Sequence, residues 1–145
     1  MVYTYILGRT RFFRRKDRVF LWYTNIYSLY RFGLTKDDKM ERIAFIDLGS
    51  NSVRFVIYEI SDTGSYRLIY QEKNSIRLSE NMWGNHKLTE PAMNRALVSL
   101  QSYVHMAKAL EVNSIKAVAT AAVRLAKNGD EFIETVKRET GLDLE

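Results

Sequence analysis

The residues with the clearest chemical potential lie in the stretch AFIDLGSNSVRFVIYEI, where an apolar run delivers Asp47 to a tight turn. The turn consists of Gly49, Ser50, Asn51 and Ser52. Glycine removes a side chain that would block such a turn, and successive backbone N–H groups can then converge on a phosphate. A divalent cation such as Mg²⁺ would bridge the carboxylate and the phosphate, because it prefers oxygen ligands. The pattern therefore indicates a phosphate-binding turn beside an aspartate that holds metal or positions water.

The same pattern also fits an ordinary hairpin turn in which Asp47 bonds its own backbone. Two arginines favour the phosphate site. Arg77 and Arg124 each follow a predicted strand, where a side chain can return toward the edge of the sheet. A guanidinium group can bind phosphate bidentately. Taken alone, either arginine could equally be an exposed charge on the protein surface. His86 and His105 have no partner at metal-ligand spacing, so we assign them no role.

Three short strands are predicted to position this turn. The apolar run at residues 43–47, the alternating residues 52–60 and the segment 66–76 are joined by short links, which predicts a meander. In the third strand we expect Leu68, Tyr70 and Ile76 to be the apolar members.

A helical period follows the strands. Thr89 is the expected N-cap of a helix that ends near Leu110. Its predicted apolar stripe consists of Met93, Leu97, Leu100, Val104 and Ala107. A buried strand at 115–119 comes next, then a helix capped by Asn128 and ended by Gly141, and the final LDLE begins another strand. The order β-β-β-α-β-α-(β) predicts a mixed sheet of the α/β class.

Composition limits the remaining possibilities. The chain has 145 residues, 46% of them hydrophobic, with one proline and no cysteine, so we expect a packed core without a disulfide framework. No apolar stretch is long enough to predict a membrane span. The net charge of +5 is uneven, because residues 1–39 carry +6 and residues 40–145 carry −1. We therefore predict two parts, a basic, aromatic-rich leader at 1–39 and a folded domain at 40–145.

The leader admits three interpretations. Its arginines and aromatic residues could contact a membrane surface or a nucleic acid. It could equally be an appended, disordered segment outside the fold, since Met40 could itself be an initiator. A signal peptide is disfavoured, because Tyr, Trp and Asn interrupt the apolar run. We favour the appended segment, and we expect no nucleic-acid partner and a cytoplasmic location.

Four segments resemble, in this order, the start of the exopolyphosphatase / guanosine pentaphosphate phosphohydrolase (Ppx/GppA) family. They are IAFIDLGSNSVRFVIYE, KNSIRLSE, the helix from Pro91, and IKAVATAAVRLAKNGDEFIETVKRETGLDLE. The resemblance covers residues 40–145 and implies an actin-like, ribonuclease-H-like ATPase domain. It implies hydrolysis of terminal phosphoanhydrides of polyphosphate or guanosine pentaphosphate with Mg²⁺, by enzymes that are homodimeric at full length.

The resemblance also implies roles for the candidate residues. Asp47 matches the family's aspartate near the metal and the attacking water, and the turn from Gly49 to Ser52 matches its first phosphate loop. Arg77 and Arg124 match arginines that face the substrate channel. The family's general-base glutamate, in a GxEEA motif, and a second glycine-rich loop come after the segment that TGLDLE matches. Glu145 lies in no such motif, and we do not assign it as the base.

We therefore expect the isolated chain to be a truncated, nearly inactive fragment of the domain. Two alternatives stay open at this point. One is another actin-like ATPase or a sugar kinase, which GSNS and VATAAVR suit poorly. The other is a module that binds polyphosphate without hydrolysing it.

Overall fold

The computed structural model describes residues 5–6, 9–10, 40–82 and 84–145. The chain divides into two units, Met1–Asp37 and Asp38–Glu145. In the first unit, β1 (Tyr5–Ile6) pairs antiparallel with β2 (Arg9–Thr10). The predictions made for the rest of the leader, including the aromatic run at 19–30, lie outside the described residues.

The second unit is built on a four-stranded mixed sheet, with the strand order β5-β4-β3-β6. Its strands are β3 (Glu41–Leu48), β4 (Ser52–Ile60), β5 (Tyr66–Ser75) and β6 (Ser114–Ala119). The antiparallel pairs β3–β4 and β4–β5 confirm the predicted meander. β6 then adds in parallel to β3, which requires the crossover helix between them.

Three helices accompany the sheet. They are α1 (Glu90–Ala109), α2 (Ala121–Leu125) and α3 (Gly129–Thr140). The α/β class and the predicted order are confirmed, with α2 as an addition that the sequence analysis did not anticipate. Leu144 forms an isolated parallel bridge to Ala117, within the LDLE segment where the sequence predicts the start of a strand. Among the described residues, no helix is both long and apolar enough to cross a membrane.

The two faces of the sheet differ. On one face, Leu48, Val53 and Phe55 join a buried core with residues of α1 and α3. The other face, which we call the second face, carries the alternate residues, among them Asp47 and its cross-strand partner Arg54. Alternation along each strand thus places Asp47 and Arg54 on the face away from this core, next to the buried Phe45 and Val56.

The buried side of α1 differs from the predicted stripe. Leu100 and Ala107 are buried as expected, but Met93, Leu97 and Val104 are only partly buried. The fully buried positions of the helix also include Ala92, Ala96 and Tyr103. Small alanines let the helix approach the sheet, and the Tyr103 ring stacks on Phe55 with centroids 4.6 Å apart. The helix is therefore rotated toward its small residues and its tyrosine.

The third strand also departs from the prediction. A register shift opposite Ile57 and Tyr58 moves Leu68 onto the second face, where it is 49% exposed. Ile76 is buried, but it lies just beyond the end of β5. Leu68 therefore does not share an apolar face with Tyr70, whereas Ile76 joins the core against which Tyr70 packs, as predicted.

Both predicted N-caps occupy cap positions without making side-chain cap hydrogen bonds. The Asn128 side chain accepts from the Leu88 N–H at 2.8 Å and donates to the Leu88 carbonyl at 3.0 Å. It therefore joins the loop before α1 to the start of α3. Gly141 ends α3 in the left-handed conformation, with φ of 75°, as predicted.

Candidate functional site

The turn between β3 and β4 depends on a close backbone approach at Gly49. Its N–H donates to the Ser52 carbonyl at 3.0 Å. A Cβ built on Gly49 would lie 2.8 Å from the same oxygen, closer than real Cβ atoms come. The turn therefore requires glycine for space, as the sequence predicted.

Two carbonyls of the turn face the segment after β5. The Ser50 carbonyl accepts from the Ser79 N–H at 3.0 Å, and the Asn51 carbonyl accepts from the N–H groups of Ile76 and Arg77 at 2.9 Å. In a planar trans peptide the carbonyl and the following N–H point in opposite directions. These bonds therefore direct the Asn51 and Ser52 N–H groups away from the segment after β5.

The first two N–H groups after the glycine are unused. Within the described part of the chain, neither the Ser50 nor the Asn51 N–H donates to a protein acceptor. Unpaired consecutive amides in a turn can bind an anion. The turn thus offers donors to a ligand, in the place where the sequence predicted a phosphate.

Asp47 lies two residues before this turn and points to the second face. Its Oδ1 is buried and has no hydrogen-bond partner among the described residues. Burial raises the pKa of this carboxyl above its usual 3.8, while the positive charge of Arg54 acts to lower it. A carboxylate oxygen without a protein partner is a suitable ligand for a hard cation.

Arg54 is the site residue that the sequence analysis missed. It lies directly opposite Asp47 across the β3–β4 pair. The sequence contains the information for this pairing. If residues 49–52 form a tight turn between antiparallel strands, residues 47 and 54 lie opposite each other. The alternation of residues 52–60 alone does not give this pairing.

Arg77 is attached to the turn through its backbone. Its N–H bonds the Asn51 carbonyl, and its φ of 45° lies in the left-handed region that non-glycine residues rarely adopt. Such strain persists where the surroundings enforce it. Here Arg95 of α1 supplies the constraint, donating from Nε to the Ile76 carbonyl at 2.9 Å and from Nη2 to Glu80 Oε2 at 2.7 Å.

The segment that carries Arg124 is hydrogen-bonded to the end of β3, next to the turn. Thr120 donates from its N–H and its Oγ1 to the Leu48 carbonyl, at 3.0 and 3.1 Å. Arg124 lies one turn later, past the end of β6 as predicted, and the residues around it form α2. The structure thus brings the backbone segments of Asp47, Arg77 and Arg124 to one end of the sheet. Both arginine side chains are exposed, and the described contacts do not join either to the turn.

We predict that Asp47→Asn stabilises the unliganded chain at neutral pH, by about 1 kcal/mol, because it removes a charge from a half-buried position. The raised pKa means that the folded state binds this proton more tightly than the unfolded state does. The free energy of unfolding of the wild type should therefore fall as pH rises from 3.8 through the folded pKa. The gain in free energy of unfolding of Asp47→Asn over the wild type should be fully present above the folded pKa and absent below pH 3.8. Urea unfolding of both proteins across this pH range measures the difference. A variant less stable than the wild type at neutral pH would contradict the prediction.

We predict that Arg95→Gln loosens the segment that carries Arg77. Losing the hydrogen bonds of the guanidinium should cost about 1 kcal/mol locally. Hydrogen exchange of the Arg77 and Ser79 amides, which bond the turn, should then accelerate by several-fold. Arg95→Lys is the matched control for charge, and it should fail to restore protection because lysine lacks the planar fork. Unchanged exchange in both variants would show that Arg95 does not hold this segment.

The described residues contain no group of three or more His, Cys, Asp or Glu side chains that could hold a metal. Mg²⁺ does not require one, because it commonly binds through one or two carboxylates, substrate phosphates and several waters. The partnerless Oδ1 of Asp47 and the free amides beside it fit that arrangement.

A three-stranded meander, a crossover helix and a parallel fourth strand form an α/β domain, and its solved structural neighbours show that it has the actin-like ATPase fold. A sequence model of the Ppx/GppA phosphatase family matches residues 56–145. The chain belongs to the Ppx/GppA phosphatase family.

Individual relatives support this assignment. A guanosine-5'-triphosphate,3'-diphosphate pyrophosphatase of Pseudoalteromonas atlantica is 34% identical over 110 residues, which are 76% of this chain and 21% of the relative. The crystal structure of the Aquifex aeolicus Ppx/GppA family member is 37% identical with a TM-score of 0.71, covering 74% of this chain and 35% of that one. An exopolyphosphatase from Cytophaga hutchinsonii is 30% identical with a TM-score of 0.69, covering 72% and 33%. The chain thus spans about a fifth of the length of the first relative and about a third of the two solved structures.

Proposed function

We propose that this chain serves phosphoanhydride hydrolysis, the release of terminal phosphate from inorganic polyphosphate or guanosine pentaphosphate. The observation that carries the proposal is the pair of free amides at Ser50 and Asn51 beside the partnerless Oδ1 of Asp47. The names of the relatives point the same way, since one is a guanosine pentaphosphate pyrophosphatase and another an exopolyphosphatase.

In the proposed mechanism the turn binds the terminal phosphate. The amides of Ser50 and Asn51 donate to its oxygens, and the Ser52 hydroxyl adds a neutral donor. Phosphoryl transfer depends mainly on positioning and on stabilising charge, so a rigid set of donors contributes directly. The close contact at Gly49 fixes the geometry of these donors.

Asp47 would hold Mg²⁺ through the carboxylate oxygen that has no protein partner. The cation would neutralise charge on the phosphate and lower the repulsion between the phosphate and the carboxylate. Asp47 can also orient a water molecule next to the turn. Arg77 and Arg124 would supply exposed guanidinium groups, the first from the segment bonded to the turn and the second from the segment bonded to the end of β3.

We propose that the isolated chain binds phosphate but turns over slowly. Beside the turn, the described residues give Asp47 a carboxylate oxygen without a protein partner, and in this proposal that oxygen would hold the cation rather than act as a base. A separate general base is commonly worth 10²–10⁴ in rate. Phosphate release from polyphosphate with Mg²⁺ should therefore stay well below about 1 s⁻¹, the low end of typical turnover. Turnover at a typical enzyme rate would contradict this part of the proposal.

The binding step has its own test. Calorimetric titration of the chain with polyphosphate and Mg²⁺ should show binding that Asp47→Ala and Arg124→Ala both weaken. Unchanged binding in both variants would mean that the proposed site is wrong. Binding without any hydrolysis, in the chain and in a longer form of the protein, would support the alternative of a polyphosphate-binding module.

The family assignment favours a phosphatase over the sugar-kinase alternative. We further propose, from the family resemblance, that the full-length protein forms a homodimer and acts in the cytoplasm. Light scattering on the full-length protein measures the first, and fractionation of cells that express it measures the second.

A further inference from the structure

The loop between β5 and α1 is bonded to the turn at one end and to the residues after α2 at the other. We call residues 76–89 the connecting loop. Four successive backbone hydrogen bonds run along it, each from the N–H of one residue to the carbonyl of the preceding member, at distances between 2.8 and 3.2 Å. The members are Ser50 of the turn, then Ser79, Met82 and His86 of the loop, and finally Lys127 after α2. The connecting loop thus links the turn to the segment that carries Arg124.

Asn128 fastens the far end of the connecting loop. Its side chain accepts from the Leu88 N–H at 2.8 Å and donates to the Leu88 carbonyl at 3.0 Å, and we call this pair of bonds the Asn128 clamp. The clamp needs an acceptor atom and a donor atom on one side chain, which an amide supplies. Although Asn128 precedes α3, its side chain makes no cap hydrogen bond to that helix. The connecting loop therefore explains the residue type better than helix capping does.

Arg124 lies midway between two points of attachment. Four residues before it, Thr120 donates from its N–H and its Oγ1 to the Leu48 carbonyl. Four residues after it, Asn128 holds the connecting loop. The turn, the connecting loop and α2 therefore form a closed ring of covalent and hydrogen-bonded links. Both candidate arginines, Arg77 and Arg124, lie on this ring.

The connecting loop has backbone conformations that need such attachment. Arg77, Asn81 and His86 have φ of 45°, 61° and 55°, in the left-handed region that residues other than glycine rarely adopt. Conformations of this kind persist where the surroundings enforce them. Arg95 constrains the start of the loop, and the Asn128 clamp constrains its end. Releasing the clamp should therefore let the loop relax and let α2 shift relative to the turn.

We propose that Asn128 is a positioning residue for the phosphate ligand, because its clamp on Leu88 closes the ring and fixes Arg124 relative to the turn. This inference rests on the proposed function, in which Arg124 and the turn bind the same chain of phosphates. The Asn128 side chain is occupied by the loop, so it acts through Arg124 and not by touching the ligand. Binding of the phosphate chain and formation of the clamp should then favour each other.

The test uses Asn128→Asp and Asn128→Ser in the full chain. Aspartate and serine serve about as well as asparagine at a helix N-cap, so both variants should keep the start of α3. Neither reproduces the clamp, because an ionised aspartate only accepts and serine offers a single oxygen. Calorimetric titration with tripolyphosphate and Mg²⁺, well below the unfolding midpoint, should show binding weakened by about fivefold or more in each variant, the order of one lost hydrogen bond.

Asn113→Asp is the matched control. The Asn113 Oδ1 accepts from the Arg42 N–H at 2.8 Å at the far end of β3, and aspartate keeps that acceptor. The same change of charge there should leave the affinity within about twofold of the wild type. Weaker binding in Asn128→Asp with normal binding in Asn128→Ser would assign the loss to the added charge and would overturn the inference.

A second readout separates positioning from a general loss of structure. In an Arg124→Ala background, Asn128→Ser should weaken binding by less than about twofold, since its effect passes through Arg124. An equal loss in both backgrounds would overturn the inference. In the wild type, saturating tripolyphosphate should slow hydrogen exchange of the Leu88 amide several-fold more than that of the Asn113 amide. Unchanged exchange at Leu88 would overturn the inference without the use of any variant.

The outcomes distinguish this inference from the proposed function. If both Asn128 variants bind tripolyphosphate as tightly as the wild type does, the positioning role fails while the turn site stands. If the wild type does not bind tripolyphosphate, the proposed function fails, and this inference fails with it.

Discussion

Gly49→Ala is expected to weaken phosphate binding at least about tenfold and to lower the free energy of unfolding by about 1–3 kcal/mol, the usual cost of overpacking. The new Cβ would lie 2.8 Å from the Ser52 carbonyl oxygen. This obstacle is backbone and cannot rotate away, so the turn must open and the Gly49–Ser52 hydrogen bond must lengthen. The amides of Ser50 and Asn51 then lose their common direction, which is the basis of the proposed site.

The control for this prediction is Gly84→Ala. Among the described residues, no atom lies within 4 Å of a Cβ built at Gly84, so the same substitution should change neither stability nor binding by much. Calorimetric titration with tripolyphosphate and Mg²⁺, with thermal unfolding of both variants, measures the two effects. Normal affinity in Gly49→Ala would show that the narrow turn is not needed for binding.

Gly129→Ala is expected to have the largest effect on stability. A Cβ there would lie 2.1 Å from the Val123 carbonyl oxygen and 3.1 Å from its carbonyl carbon. Gly129 is buried at the start of α3, so α2 and α3 would have to separate. We expect a loss of about 3 kcal/mol or more, at or above the upper end for overpacking. For a domain of this size that is a fall of at least about 10 °C in the midpoint of thermal unfolding.

Gly129→Ala should also loosen the segment next to the candidate site. α2 begins after Thr120, whose hydrogen bonds to the Leu48 carbonyl hold this segment at the end of β3. Faster hydrogen exchange at the Thr120 amide, well below the unfolding temperature, would show that the displacement is transmitted. A midpoint within about 2 °C of the wild type would contradict the tight packing of α2 on α3.

Much of the fold could be predicted from local signals. The strand pattern of residues 52–60 was visible because apolar and polar residues alternate with period two. Gly141 was predictable as a helix end because a left-handed residue favours glycine. Gly49 was predictable for a similar reason, since a tight turn of small residues indicates a close approach of the backbone.

The remainder depended on tertiary contacts that no local pattern shows. Tyr103 is fully buried on α1 because Phe55 of the sheet offers a stacking partner. Asn128 bonds Leu88, forty residues away, in place of its own helix. The shift in register opposite Tyr58 exposes Leu68 although its type suggests burial. In each case a contact distant in sequence overrode the local preference.

At the candidate site, the sequence showed which residue types could bind a ligand, but it did not show which residues lie opposite one another. Asp47 and the turn could be identified, whereas the role of Arg54 emerges only when the register of β3 and β4 is known. The strain at Arg77 likewise follows from bonds to the turn and to α1.

The most direct test of the central claim is an NMR titration of the ¹⁵N-labelled chain with tripolyphosphate in the presence of Mg²⁺. If the turn binds the terminal phosphate, the amide resonances of Ser50 and Asn51 should shift downfield with saturation, as hydrogen bonds to phosphate form. Omitting Mg²⁺, or introducing Asp47→Asn, should reduce the shifts strongly. Saturable shifts elsewhere in the chain, with the Ser50 and Asn51 amides unmoved, would contradict the account.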